Sequence, residues 1–141
     1  MILTIFLMLA SALVIPQPAD SVQSVELTLQ TRGVYRSILV TPRTTRVDVN
    51  GKQHQQPTKP SQWKAILKAL EGLPLADPPS LPTDVSRSAV DAALSARVRV
   101  TTPSQTVESV TYDHPNPPSR MAPLVKAIIA TLPAANREAF Q

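Results

Sequence analysis

Residues 24–41 read SVELTLQTRGVYRSILVT, and this stretch decides the fold. Val25, Leu27 and Leu29 alternate with Glu26, Thr28 and Gln30. An apolar residue at every second position is the pattern of a strand with one buried face. Thr31-Arg32-Gly33 follows, and glycine is free to take the positive φ of a tight turn. Residues 34–41 then supply the partner strand. Its Ile38-Leu39-Val40 run is apolar on both faces, which predicts a central position in a sheet. Pro42 ends it, because proline cannot donate to a ladder.

Working outward toward the C-terminus, residues 43–49 predict a third strand. Val47 and Val49 point inward there, and Arg46 and Asp48 outward. Asn50-Gly51 closes it in a turn. Residues 52–59 are polar, without periodicity, and predict a loop. In residues 60–71, Trp63, Ile66, Leu67 and Leu70 fall at i, i+3, i+4 and i+7, one stripe of a helix. Pro60 suits the first helical turn. Gly72 predicts a left-handed residue after the helix, with Leu73 as the apolar contact beyond it.

Residues 73–84 carry Pro74, Pro78, Pro79 and Pro82, which exclude a helix or a central strand. Leu75 and Leu81 predict an extended segment lying against the core, and residues 86–93 a single helical turn. Residues 94–102 alternate again and pair with residues 106–112 across Pro103-Ser104-Gln105. A last helix is predicted over residues 119–132, with Leu124, Ile128 and Leu132 on its stripe. Pro123 conflicts with the first turns of such a helix unless the helix begins late. Residues 136–141 read as a loose tail. The order β-β-β-α-β-β-α predicts an α+β fold: an antiparallel sheet of about five strands with two helices on one face. One domain spans residues 20–135.

Residues 1–15, MILTIFLMLASALVI, are uncharged and mostly apolar, and Pro16 closes the run. A bilayer-spanning helix takes about 20 such residues, whereas a secretory core needs roughly 7–15 followed by small residues. Residues 1–19 therefore read as a signal peptide, cleaved after Ala12 or Ala19, for a periplasmic or secreted domain. If the segment is retained, residues 1–15 become a membrane tether.

Composition removes several classes of function. The chain has no cysteine, which excludes disulfides, thiolate zinc sites and cysteine nucleophiles. His54 and His114 are the only imidazoles, so three histidines cannot share a zinc ion. The net charge of +4, from 14 basic and 10 acidic residues, is spread along the chain rather than gathered on a nucleic-acid-binding face. Fifteen prolines against three glycines favour rigid, extended connections.

Two constellations could carry function. Asp113-His114-Pro115-Asn116-Pro117-Pro118 leaves a strand and approaches a helix, where a carboxylate beside an imidazole could orient a base. Adjacent residues on an extended chain point to opposite faces, so Asp113 does not obviously hold the His114 ring. Arg46, Arg97 and Arg99 project from the outer sheet face, which could present an arginine platform to an anionic envelope polymer or an acidic protein. Glu26, Asp48 and Glu108 interleave there and favour a solvated charge ladder. The binding candidates are thus Arg46, Arg97, Arg99, Asp113 and His114. No catalytic residue, metal ligand or cofactor is assigned.

The leader, the strand-turn-strand around Thr31-Arg32-Gly33, the helix around Trp63 and the Asp113-His114-x-Asn116-Pro117-Pro118 motif carry a resemblance. The chain resembles small exported bacterial α+β proteins without an assigned activity. The resemblance implies a periplasmic or surface-facing domain, and no catalytic residue carries over from it. A non-enzymatic exported module that binds or supports the cell envelope is therefore expected. The alternative is a small hydrolase or metal-dependent enzyme centred on His114.

Overall fold

The computed structural model describes residues 21–73, 80–81, 94–109, 111–114 and 116–141. The leader and most of the proline-rich connector, with Leu75 and the helical turn expected at 86–93, lie outside them.

The opening hairpin forms as its sequence dictates. Strands β1 (Ser24–Thr31) and β2 (Val34–Val40) pair antiparallel, with Leu27 opposite Ile38 and Val25 opposite Val40. Gly33 turns the chain at φ +72°. β3 (Thr44–Val49) pairs with β2, placing Val47 opposite Ile38. β6 (Ser95–Thr101) joins the other side of β1, with Val98 opposite Leu27. With β4 at Lys52–Pro57, β5 at Ser80–Leu81, β7 at Thr106–Ser109 and β8 at Tyr112–Asp113, the sheet runs β4-β3-β2-β1-β6-β7-β5, and β8 also pairs with β6. All pairs are antiparallel except that between β5 (Ser80–Leu81) and β7 (Thr106–Ser109).

The fold is α+β, with more strands than the expected five. Where a polar loop is predicted, β4 (Lys52–Pro57) pairs along the whole of β3. Asn50 (φ 52°) and Gly51 (φ 89°) both adopt the left-handed conformation of a two-residue hairpin turn. The turn therefore starts a hairpin rather than ending a strand. β4 lies at the sheet edge, where burial demands little, so it carries no apolar pattern. Gln56 still ties it to the helical layer, donating from Nε2 to the Thr131 carbonyl at 2.6 Å.

Helix α1 (Pro60–Glu71) matches its predicted stripe, with Ile66 and Leu70 buried and Trp63 and Leu67 packed against the core. Gly72 differs from expectation: at φ −83°, ψ 0° it stays in the right-handed region. Leu73 is nevertheless buried, its N–H bonded to the Leu70 carbonyl at 3.0 Å. Helix α2 (Ala122–Ile129) starts three residues later than predicted and is shorter. Pro123 falls in its first turn, where a missing N–H breaks no hydrogen bond. The Pro118 carbonyl accepts the N–H groups of Met121 and Ala122 instead.

The expected loose tail is a further correction. Residues 134–137 form a short helix, α3 (Ala134–Arg137), followed by a 3-10 turn (Glu138–Phe140). Phe140 is fully buried. Arg36, on the helix-facing side of β2 beside Leu29, donates from Nη1 to the Ala139 carbonyl at 2.7 Å. The core thus lies between one sheet face and a layer made of α1, α2 and this C-terminal turn. Among the described residues no helix is long and apolar enough to cross a membrane.

Candidate functional site

A bulge in the sheet sets the site. Arg99 faces Glu108, and Ala96 faces Tyr112. Between these pairs, two residues on β6 (97 and 98) oppose three (109–111), so one residue is extra. Ser109 repairs the ladder, its Oγ accepting the Val98 N–H at 2.9 Å. Beyond the bulge, β8 (Tyr112–Asp113) resumes with Tyr112 on the helix-facing side, opposite Ala96. Asp113 opposes Ser95 on the outer side, and the His114 N–H bonds the Leu94 carbonyl at 2.8 Å. Alternation returns the His114 side chain to the helical side.

There it lines a groove of about 380 Å³. One wall is a stripe of α2: Ala122, Val125, Lys126, Ile129 and Ala130. These positions follow i, i+3, i+4, i+7 and i+8, a single helical face. His114 and Pro117 close one side, and Arg137, Phe140 and Gln141 the other. The volume falls within the range of small-molecule sites, about 300–1,000 Å³. Lys126 and Arg137 are the only charged side chains in the lining. The His114 Nε2 atom is buried without a hydrogen-bond partner.

Tyr112 sits behind this loop, 1% exposed, with its hydroxyl unpartnered. Burial pushes its phenol above the ordinary value of 10.0, because the low-dielectric interior disfavours the anion. An acid whose pKa is raised by folding adds stability below its unfolded pKa and loses it as pH rises beyond that value. The protein is therefore expected to lose stability above about pH 10. In Tyr112→Phe that part of the alkaline loss should disappear, while stability at pH 7 should hold or rise as an unpaired buried hydroxyl is removed. Urea midpoints measured at pH 7 and pH 10.5 test this. Equal alkaline losses in both proteins would contradict it.

The structure separates the residues singled out from sequence. Arg46, Arg97, Arg99 and Asp113 lie on the outer face, and His114 on the other. Arg99 is bracketed by carboxylates: Nη2 lies 2.6 Å and Nε 2.7 Å from Glu108 Oε1, and Nη1 lies 3.8 Å from Glu26. Arg97 Nη1 approaches Glu108 Oε2 at 3.8 Å. The platform is thus largely neutralised within its own sheet. Such exposed pairs contribute little to stability, about 0–1 kcal/mol each. Arg46 is exposed, separated from Arg99 by two strands in a cross-sheet row through Leu39 and Glu26, and makes no ion pair among the described residues. Asp113 does not hold the His114 ring.

Lys126, Arg137 and Phe140 escaped the sequence reading. One signal for them exists. The α2 sequence APLVKAII is apolar around most of its circumference, wider than one sheet contact requires. Leu124, Val125 and Ile128 are buried in the core, while Ala122, Val125 and Ile129 border the groove.

No family model, curated protein or solved structure matches the chain.

Proposed function

We propose that this chain is an exported, non-enzymatic binding module of the cell envelope, with the groove along α2 as its ligand site. The uncharged apolar leader supports export, and without cysteine the exported domain is stabilised by its core alone. One observation carries the site: an apolar helical stripe left uncovered by the sheet, beside a loop and a C-terminal turn that close it into a groove. The periplasm or the outer cell surface is the compartment that fits.

The alternative, a hydrolase or metal-dependent enzyme at His114, draws less support. The charged side chains sharing its groove are Lys126 and Arg137, and the neighbouring carboxylate of Asp113 lies across the sheet. An imidazole base is ordinarily oriented by a carboxylate or carbonyl on its second nitrogen. Among the described residues no three His, Asp or Glu side chains gather to hold a metal. The outer arginine face is a weaker candidate for an anionic polymer, because Glu26 and Glu108 occupy Arg97 and Arg99.

A neutral apolar probe, 1-decanol, tests the groove. Saturable binding is expected, with NMR shifts at Ala122, Val125, Ile129 and Ala130. Ala130 is exposed at one end of the stripe. Ala130→Trp should fill that end and weaken binding about tenfold, equivalent to about 1.4 kcal/mol. Shifts confined to the outer sheet face, or no binding, would sink the groove as the site.

A further inference from the structure

The chemical class of the ligand follows from the placement of charge along the groove, an inference that rests on the groove being the ligand site. From Ala122 to Ala130 the stripe spans eight residues, about 12 Å at 1.5 Å per residue. It is mostly apolar, with Lys126 its one charged member. Its two ends differ. His114 and Pro117 stand near the Ala122 end, where the Pro118 carbonyl meets the start of α2. Arg137 stands at the Ala130 end, its Nη2 donating to the Ala130 carbonyl at 3.2 Å and its Nε to the Leu132 carbonyl at 2.8 Å.

Those two hydrogen bonds have two effects. They cover carbonyls at the negative end of the α2 dipole, which would otherwise repel an anion. They also hold the guanidinium in one orientation, so little side-chain entropy remains to be lost when a ligand binds. Among the described residues Nη1 makes no hydrogen bond, which leaves it available to a ligand. Lys126, about one turn back, is exposed and without an ion pair among the described residues. Glu138 follows Arg137 in the chain but does not line the groove.

We infer that the groove takes a single-chain amphiphile with an anionic head. The chain lies along Ile129, Val125 and Ala122, and the head meets Arg137 with Lys126 adding positive potential. A charge-assisted hydrogen bond is shorter and stronger than a neutral one, which gives the anion its advantage over an alcohol of equal length.

Four ten-carbon probes on the full mature domain decide the matter: decanoate, decyl sulfate, 1-decanol and decyltrimethylammonium. Decanoate or decyl sulfate should bind about tenfold more tightly than decanol at low salt. The better of the two identifies the headgroup. Decyltrimethylammonium should bind no better than decanol. Raising the salt to 0.5 M should narrow the gap, because exposed charges are screened. Arg137→Gln should bring both anions to the level of decanol, whereas Lys126→Gln should leave most of the difference. Because Arg137 also caps α2, Ala130→Glu provides a second arm. It keeps the cap, sets a carboxylate at the proposed head position, and should abolish the anion preference while decanol still binds. Equal affinity for all four probes, or a preference that survives both changes, overturns the anionic class and leaves the groove standing. Binding by none of them overturns the groove itself.

Discussion

Phe140→Ala is expected to lower the unfolding free energy by about 3–5 kcal/mol, as large-to-small changes at buried aromatics do. The ring has no solvent exposure. It enters the core from the 3-10 turn at Glu138–Phe140, in a segment whose sequence suggests a tail. Removing the ring loses its burial and leaves a cavity between the C-terminal turn and the sheet. The Arg36 contact to the Ala139 carbonyl depends on the same docking, so loosening the turn also strands a guanidinium whose Nε already lacks a partner. Urea denaturation monitored through Trp63 measures the effect. A change below about 0.5 kcal/mol, the ordinary result for an exposed position, would show that residues 138–140 do not pack as described.

Leu27→Ala is expected to reduce stability by about 2–5 kcal/mol. Leu27 is fully buried at the middle of β1, between Ile38 of β2 and Val98 of β6. β1 is the central strand, with three strands on one side of it, and α2 lies against it. No neighbour there can collapse into the space without disturbing two strand pairings. Leu39→Ala is the internal control. Leu39 opposes Glu26 on the outer face and is only partly buried, so its loss should stay near 1 kcal/mol. Similar losses at both positions would mean that the two sheet faces have been assigned wrongly. A small domain commonly has 5–15 kcal/mol in total, and this one has no disulfide to limit its unfolded state. Leu27→Ala should therefore show as a large drop in melting temperature.

The parts of the fold readable from sequence are those where burial imposes a period. β1, β2 and β6 alternate because one face of each meets the helices, and α1 shows its stripe for the same reason. β4 was hidden because an edge strand can pair through its backbone alone. Lys52, Gln53, His54 and Gln55 are all exposed and leave no apolar trace. Asn50-Gly51 was the only local sign of that hairpin. The C-terminal turn was hidden differently. One aromatic residue in a polar stretch has no period, and Arg36 and Ala139 are 103 positions apart. The site suffered from the same distance. His114 was visible as a residue, but the groove exists only when α2 and Arg137–Gln141 close around it. The charge ladder was more legible: alternating signs along β1, β6 and β7 foretold that the outer arginines would be occupied.

The bulge opposite Arg97 and Val98 gives this short segment an uneven tolerance for changes in length. The Pro103-Ser104-Gln105 hairpin loop lies at an open end of the sheet, and a residue added there lengthens only the loop. A residue removed from 109–111 takes away the extra one: the ladder becomes regular, Tyr112 still opposes Ala96 inside the core, and Asp113 and His114 keep their faces. A second removal would leave one residue against two and pull Tyr112 out of step with Ala96. Two neighbouring stretches of similar polarity thus tolerate opposite changes: the loop accepts an added residue and the bulge a single removed one, without moving any side chain to the other face.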